Sequence, residues 1–220
     1  MNFWSQHGHS RQDDTPGHCV WYGTCEGCVD QKNTTHNYNY LYNGTGEPIT
    51  DEEDIANLNY VCPELMEELS KNWQRMIDET AGREKFSQIF FFVCRSGAGG
   101  AEQNFCCSHK QIDDLRDNFG MALGLVNRCP SCARNLRMVF CYMTCHPEHS
   151  KFIQPGTIID VVDPLDNQTK QVIEKLDYYI GSSYVDDLYD SCNEVTNPSS
   201  NSYVITTFCG QWGELCDSQK

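Results

Sequence analysis

The sequence contains no long hydrophobic run. Nowhere do its 220 residues offer the roughly 20 consecutive apolar residues that a membrane-spanning helix requires. At the amino terminus, Phe3 and Trp4 stand isolated among polar residues, so the apolar core of a secretory signal peptide is also missing. We therefore expect the sequence to be a mature segment, an excised domain or the product of an imperfect gene model.

Positive charge is scarce as well. The chain has 16 Lys and Arg against 31 Asp and Glu, which gives a formal net charge of −15, and no basic stripe interrupts this excess. Tight binding to a phosphate backbone needs clustered Lys and Arg that release counterions. Nucleic acid is therefore excluded as a partner, and an anionic membrane surface would repel the chain on average.

Cysteine, in contrast, is abundant, with 14 residues spread from Cys19 to Cys216. Four of them fall in the run RCPSCARNLRMVFCYMTC at 128–145. A CxxC pair in such a run can belong to a zinc site, to a redox-active dithiol or to two separate disulfides. His146 and His149 follow Cys145 closely and are the only pair of histidines near thiols, as zinc ligands would be. The even count and wide spread favour disulfides, so we predict no metal ion and no cofactor.

Three Asn-x-Ser/Thr sequons, at Asn33, Asn43 and Asn167, lie in polar, turn-rich stretches and are predicted glycosylation sites. Together with the cysteines, they indicate a lumenal or extracellular compartment.

Hydrophobic periodicity predicts one α+β domain behind a tail. Residues 1–17 are expected to be a disordered tail, and 18–220 a cysteine-rich, mainly helical domain with a small mixed β-sheet. Helices are predicted at 62–80, from Ser108 onward, after a cap at Ser131, and at 182–192. Strands are predicted at 156–162 and 170–180.

The spacing of the cysteines indicates how these helices are joined. Cys141 and Cys145 lie four residues apart on one helix and point the same way, so each can reach a different neighbour. Cys106 and Cys107 are adjacent and cannot easily bridge each other, so they must fasten two different elements. The second and third helices are therefore predicted to be tied together and to the amino-terminal segment.

Six stretches in this order resemble the N-terminal lumenal domain of the Niemann–Pick type C sterol transporters, which are polytopic membrane proteins of late endosomes and lysosomes. They are CVWYGTC (19–25), CCSHKQIDDLRDN (106–118), RCPSCARNLRMVFCYMTC (128–145), VDPLDNQTK (162–170), YYIGSSYVDDLYDSC (178–192) and NPSSNSYVITTFCG (197–210). The resemblance implies a folate-receptor-like fold that accepts cholesterol from a soluble lysosomal carrier, hydroxyl end innermost. It also implies a lumenal location, handover of the sterol toward the membrane part, and no enzymatic activity.

The resemblance assigns the sterol hydroxyl to Asn39 and Gln111. The apolar wall falls on Trp21, Leu115, Phe140 and Thr144. Each assignment has a rival from the residues alone. Gln111 with Ser108 forms the S-x-x-Q pattern of a helix capping box, and Asn39 fits a turn. The apolar residues fit an ordinary core.

The resemblance also implies a set of disulfides. The pairs are Cys19–Cys106, Cys62–Cys141, Cys107–Cys145, Cys132–Cys192 and Cys209–Cys216. Cys25 loses its family partner, because Tyr40 stands at that position, and Cys28 or Cys94 is expected to replace it. Cys129 is expected to have no partner.

Two regions depart from the family pattern. Residues 66–101 are expected to be an insertion, and the C-terminal part of the domain, which forms part of the pocket entrance, is expected to be missing. One alternative function is therefore a structural lumenal fragment that binds nothing. Another is a folate- or riboflavin-type vitamin binder. An enzyme is disfavoured, since the nearest nucleophile pair, Cys145 and His146, is adjacent in sequence and poorly placed for catalysis.

Overall fold

The computed structural model describes residues 17–42, 46–49, 51–80, 104–197 and 199–208, with side chains in the second helix described as far as residue 71. Almost all of the predicted tail, most of the predicted insertion and the predicted Cys209–Cys216 pair lie outside these residues. Within them the fold is a disulfide-rich α+β domain, as the sequence predicts. The described helices include none that is long and apolar enough to cross a bilayer.

The helices and strands follow one another in a simple order. The strands are β1 (Cys25–Val29), β2 (Thr35–Tyr38), β3 (Glu47–Pro48), β4 (Asn104–Phe105), β5 (Ile153–Val162) and β6 (Thr169–Tyr178). The helices are α1 (Glu52–Val61), α2 (Pro63–Thr80), α3 (His109–Val126), α4 (Pro130–Cys145), α5 (Ser182–Cys192) and α6 (Val204–Phe208), with a 3₁₀ turn at His149–Lys151. The predicted helices and strands are all present, and β1, β2, β3, β4, α1 and α6 were not predicted.

Capping explains where the helices begin. Asp51 caps α1 by accepting hydrogen bonds from the backbone N–H groups of Glu53 and Asp54. Ser108 caps α3, and the predicted capping box with Gln111 is present. The cap predicted at Ser131 is wrong. Pro130 already occupies the first helical position, where its missing N–H costs nothing, so Cys129 is the N-cap residue.

The main sheet has the strand order β2-β1-β5-β6 and is curled. Its described strand pairs are all antiparallel, whereas a mixed sheet was predicted. The difference arises because short turns, rather than crossover helices, connect β1 to β2 and β5 to β6.

The chain after β2 folds back onto the far side of β6. Tyr42 N–H donates to the Gln171 carbonyl at 2.9 Å, and Ile173 N–H donates to the Tyr40 carbonyl at 3.0 Å. The sheet therefore nearly closes on itself, and β6 contacts the end of β2 as well as β5. This closure places residues 37–42 beside the second half of β6.

Five disulfides connect the described elements. They are Cys19–Cys106, Cys25–Cys28, Cys62–Cys141, Cys107–Cys145 and Cys132–Cys192. Four of these are pairs that the family resemblance implies, and Cys28 is one of the two partners expected for Cys25. Among the described cysteines, Cys129 alone has no bridge. Helix α4 supplies three of the bonded sulfurs and is the centre of the framework.

The same helix lies at the centre of the core. Phe140 packs against three separate clusters of buried side chains, which lie toward α1–α3, toward α5–α6 and toward the sheet. Its ring meets that of Phe119 edge to face, with centroids 5.6 Å apart. Helix α4 thus connects the helical region to the sheet.

Candidate functional site

Gln111 links three segments of the chain through its side chain, which is only 3% exposed. Its Oε1 accepts hydrogen bonds from the backbone N–H of Ser108 and of Gly23, each at 2.9 Å. Its Nε2 donates to the carbonyl of Asn39 at 2.7 Å. The capping bond and the long-range bonds coexist, because a carboxamide has several hydrogen-bonding positions. One N–H of the amide is not used by these bonds.

Asn39 follows strand β2 and lies at the wall of a cavity. Its carbonyl is held by Gln111 behind it, while its side chain is exposed. The cavity measures about 480 Å³ and opens between residues 37–40 and the second half of β6, with Met143 of α4 at its base. Asn39 and Gln111 are therefore neighbours at one end of this cavity, although only Asn39 lines it.

Three of the four residues of the predicted wall are buried in the core, and the fourth, Phe140, is partly buried. Trp21 is completely inaccessible and packs on the rings of Tyr40 and His149, with centroids 4.4 Å away in both cases. Leu115 packs between α1 and α3, and Thr144 is buried on α4. With Phe140, these residues lie behind the 480 Å³ cavity rather than at its surface. The sterol-wall assignment for them stays a prediction.

A second, smaller cavity of about 230 Å³ lies between α4 and the start of α5. Met138, Tyr142, Phe152 and Tyr184 contribute to its largely apolar lining. Tyr178 separates it from the larger cavity and lines both. The Tyr178 hydroxyl donates to the Val139 carbonyl at 3.1 Å, which fixes the ring between the two cavities.

Two buried histidines follow α4, where the sequence indicated only a possible pair of zinc ligands. His146 lies against Tyr142, and its Nδ1 accepts a hydrogen bond from the Glu148 N–H at 3.1 Å. His149 lies on Trp21, and neither of its ring nitrogens has a hydrogen-bond partner. Burial lowers the pKa of His146 to about 4 and that of His149 to about 3. Both rings are therefore neutral at mildly acidic pH.

The Nε1 of Trp21 is also buried without a partner. Nothing in the sequence signals this arrangement. His149 comes beside Trp21 only because the 3₁₀ turn and the start of β5 fold back over the amino-terminal segment. The backbone N–H of Ser150, for example, donates to the carbonyl of His18 at 3.0 Å.

A group with metal-binding geometry within the described residues is formed by Cys25, Cys28 and Asp163. The two sulfurs are bonded to each other, and Asp163 pairs with the Lys170 ammonium at 2.5 Å. Lys170 lowers the pKa of this carboxyl group by a direct hydrogen bond. Each of the three side chains thus already has a partner without an ion: the two cysteines are bonded to each other, and Asp163 is paired with Lys170.

Two of the three sequon asparagines can be located. Asn33 and Asn167 are exposed and occupy tight turns, with φ angles of 59° and 57°. Asparagine tolerates this left-handed conformation better than most residues. Asn43 lies outside the described residues. Glycosylation at all three positions stays a prediction.

Comparisons with known proteins agree with the pattern of cysteines and helices. The family described as "Niemann-Pick C1 N terminus" matches residues 75–220. The NPC intracellular cholesterol transporter 1 of Sus scrofa is 31% identical over 200 residues, which are 91% of this chain and 13% of that protein. The NPC1-like intracellular cholesterol transporter 1 of Homo sapiens is 25% identical over 209 residues, covering 93% of this chain and 13% of that protein.

The same transporter of Mus musculus is 32% identical over 130 residues, covering 58% of this chain and 10% of that protein. The chain thus spans about an eighth of the length of the relatives that it matches most fully. It belongs to the Niemann-Pick C1 N-terminal family.

Proposed function

We propose that this chain binds cholesterol or a related sterol in a lumenal pocket, with the 3-hydroxyl innermost, and passes it on in intracellular sterol transport. Its relatives are named as cholesterol transporters, and the chain matches 13% of the length of each. On this proposal the pocket is the 480 Å³ cavity, extended inward past Tyr40 toward Trp21. Its volume falls in the range of about 300–1,000 Å³ that is usual for small-molecule sites.

The observation that carries the proposal is the hydrogen-bonded group of Gln111 and Asn39 at the cavity end. A sterol has a single hydroxyl, and a largely apolar pocket needs only one or two polar groups to orient it. The bonds from Gln111 to Gly23, Ser108 and Asn39 hold this polar end rigid before any ligand arrives. The unused N–H of Gln111 and the exposed amide of Asn39 supply the donors and acceptors for a hydroxyl.

The proposed cellular setting follows from the same family relationship and from the disulfides. The chain would act in the lumen of late endosomes or lysosomes, receive sterol from a soluble lysosomal carrier protein, and reach the membrane only through other parts of a parent protein. Five disulfides suit an oxidising or extracellular-type compartment. Catalysis is not proposed, because Cys145 is bonded to Cys107 and offers His146 no free thiol.

Radiolabelled cholesterol binding by the purified, oxidised protein tests the proposal. We expect saturable binding that unlabelled cholesterol competes away, and Asn39→Ala should weaken it about tenfold, as expected for losing one hydrogen bond to a buried hydroxyl. Asn118→Ala is the matched control, because Asn118 is an exposed asparagine on α3 far from the cavity. No saturable binding by the folded, oxidised protein would support the alternative of a structural lumenal fragment.

A further inference from the structure

Three buried polar atoms without partners meet at one place in the described part of the molecule. They are the Nε1 of Trp21 and both ring nitrogens of His149. Most buried polar atoms in proteins are hydrogen-bonded, and leaving one unpaired is destabilising. The three atoms belong to two rings in contact, whose centroids are 4.4 Å apart and whose planes are tilted by 47°. Their unpaired state therefore calls for an occupant that the protein alone does not supply.

The place adjoins the proposed pocket. Tyr40 packs on Trp21 with the ring planes tilted by 40° and the centroids 4.4 Å apart. Tyr40, Met143 and Ile173 belong to the same apolar cluster as Trp21, and all three also line the 480 Å³ cavity. The Tyr40 ring thus contacts Trp21 and also forms part of the cavity wall.

The chemistry of the two rings selects the occupant. An indole N–H can only donate a hydrogen bond, while a neutral imidazole donates from one nitrogen and accepts at the other. A hydroxyl group can accept from Trp21 and donate to the accepting nitrogen of His149 at the same time. A ketone oxygen can accept from either ring but leaves that accepting nitrogen unpaired. Burial holds the pKa of His149 at about 3, so the imidazole keeps its accepting nitrogen between pH 5 and 8.

We propose that Trp21 and His149 form a further recognition position for the sterol hydroxyl, reached when the Tyr40 ring moves aside. This inference rests on the proposed function and adds to it two residues and a selectivity. His149 and Trp21 complete the polar end begun by Gln111 and Asn39, and they favour a hydroxyl over a ketone. Trp21 thereby gains a polar role in addition to the apolar one that the sequence suggested.

The alternative is a structural role in which one or two internal waters satisfy the same nitrogens. Buried polar groups that lack protein partners are commonly hydrogen-bonded to such waters. In that case, replacing His149 would change stability but not the preference between two sterols. The two possibilities therefore differ in the ratio of the affinities for the two sterols. A smaller fraction of folded protein does not change that ratio.

The test compares binding of radiolabelled 5α-cholestan-3β-ol and 5α-cholestan-3-one, which differ only in the oxygen function. We expect the wild-type chain to prefer the alcohol by about tenfold or more, and His149→Phe to lose most of that preference. The phenyl ring keeps the packing on Trp21 and removes both nitrogens, so the melting temperature of the free protein should be unchanged or higher. His146→Phe is the matched control, and it should retain the preference because the nitrogen it removes bonds to Glu148.

Trp21→Phe provides a second route should His149→Phe fold poorly, since it removes the indole N–H. The phenyl ring is smaller than the indole, so the preference between the two sterols, and not the stability, is the readout for this variant. Full retention of the preference in both variants would overturn the inference while leaving sterol binding intact. Equal binding of the alcohol and the ketone by the wild-type chain would overturn it as well. Failure of the wild-type chain to bind either sterol would instead contradict the proposed function itself.

Discussion

Helix α4 is joined by disulfides to three other segments, whereas the β5–β6 hairpin contains no cysteine at all. The helices of this domain bury only one stripe each and connect distant parts of the chain, so sulfur bonds hold them in place. The hairpin has its own hydrogen-bonded ladder, which runs from Ile153 opposite Tyr178 to Val162 opposite Thr169 with shifts in register on both sides of Thr157. Covalent bonds are thus found where local backbone pairing cannot fix one element against another.

Removing a long-range disulfide should produce the largest effect on the helical side. The Cys62–Cys141 bond closes a loop with a sequence separation of 79, and Cys25–Cys28 one with a separation of 3. In the chain-entropy account these bonds contribute about 4.5 and about 2 kcal/mol. Urea unfolding without reductant should therefore show a much larger loss for the Cys62→Ala, Cys141→Ala double variant than for the Cys25→Ala, Cys28→Ala control. Equal losses would mean that loop closure is not what stabilises the helices.

The hairpin should instead depend on burial of its inner face. Ile153 is buried against Trp21 and Met143, while Ile158 is partly exposed on the same strand. Ile153→Ala is expected to cost about 3 kcal/mol of unfolding free energy through lost burial and a residual cavity. Ile158→Ala removes the same atoms from a more exposed site and should cost about 1 kcal/mol or less. Chemical denaturation of the two variants measures the difference, and similar costs would contradict an inward-facing Ile153.

Gln111 links α3 to the segments beside β1 and β2 through hydrogen bonds, and its loss should come next in size. Gln111→Ala leaves the Gly23 N–H and the Asn39 carbonyl without their partner. We expect a loss of about 2 kcal/mol of stability, together with weaker sterol binding among the molecules that remain folded. Measuring the melting temperature and the affinity of one preparation separates the two effects. Asn118→Ala again serves as the control, and unchanged stability would show that the three bonds are not formed.

The smallest expected effect is the pH dependence of the stabilisation that comes from the contact between α1 and α3. His109 hydrogen-bonds Asp54 and lies 3.3 Å from Asp113, and the bond to Asp54 is the main reason that its pKa is raised above 6.5. A raised pKa means that this stabilisation is complete below about pH 6.5 and is lost as the pH rises through the higher folded-state value.

The wild-type chain should consequently lose its advantage in melting temperature over His109→Gln as the pH rises above about 6.5. The comparison is made as a difference between the two proteins, because the depressed pKa values of His146 and His149 act in the opposite direction in both. An advantage that stays constant with pH would exclude the ion pair.

The two regions also differ in how well the sequence predicted them. Helices α3 and α4 and the hairpin carry clear periodic patterns, such as Ile112, Leu115 and Phe119 on one stripe, and their positions were predicted. Helix α1 was missed because its sequence, EEDIANLNYV, buries little beyond Leu58 and Val61. Strand β1 was missed because its burial follows a disulfide and an irregular register rather than strict alternation.

In the candidate site, too, sequence patterns located single residues but not the contacts between distant residues. Motif spacing located Gln111 and its capping partner Ser108, and both lie where the pattern indicated. The contact of Trp21 with His149 could not be predicted, since it joins residues far apart through the closure of the sheet and the turn after α4. Periodicity reports which face of an element is buried, and it carries no information about which buried groups meet.

The disulfide framework determines what happens to the molecule when a protease cuts the chain once. Four disulfides close loops that overlap one another along the sequence. They are Cys19–Cys106, Cys62–Cys141, Cys107–Cys145 and Cys132–Cys192. Every peptide bond between Cys19 and Cys192 is spanned by at least one of them. A single cut anywhere in that range would leave both fragments covalently attached, so a nicked molecule would stay in one piece.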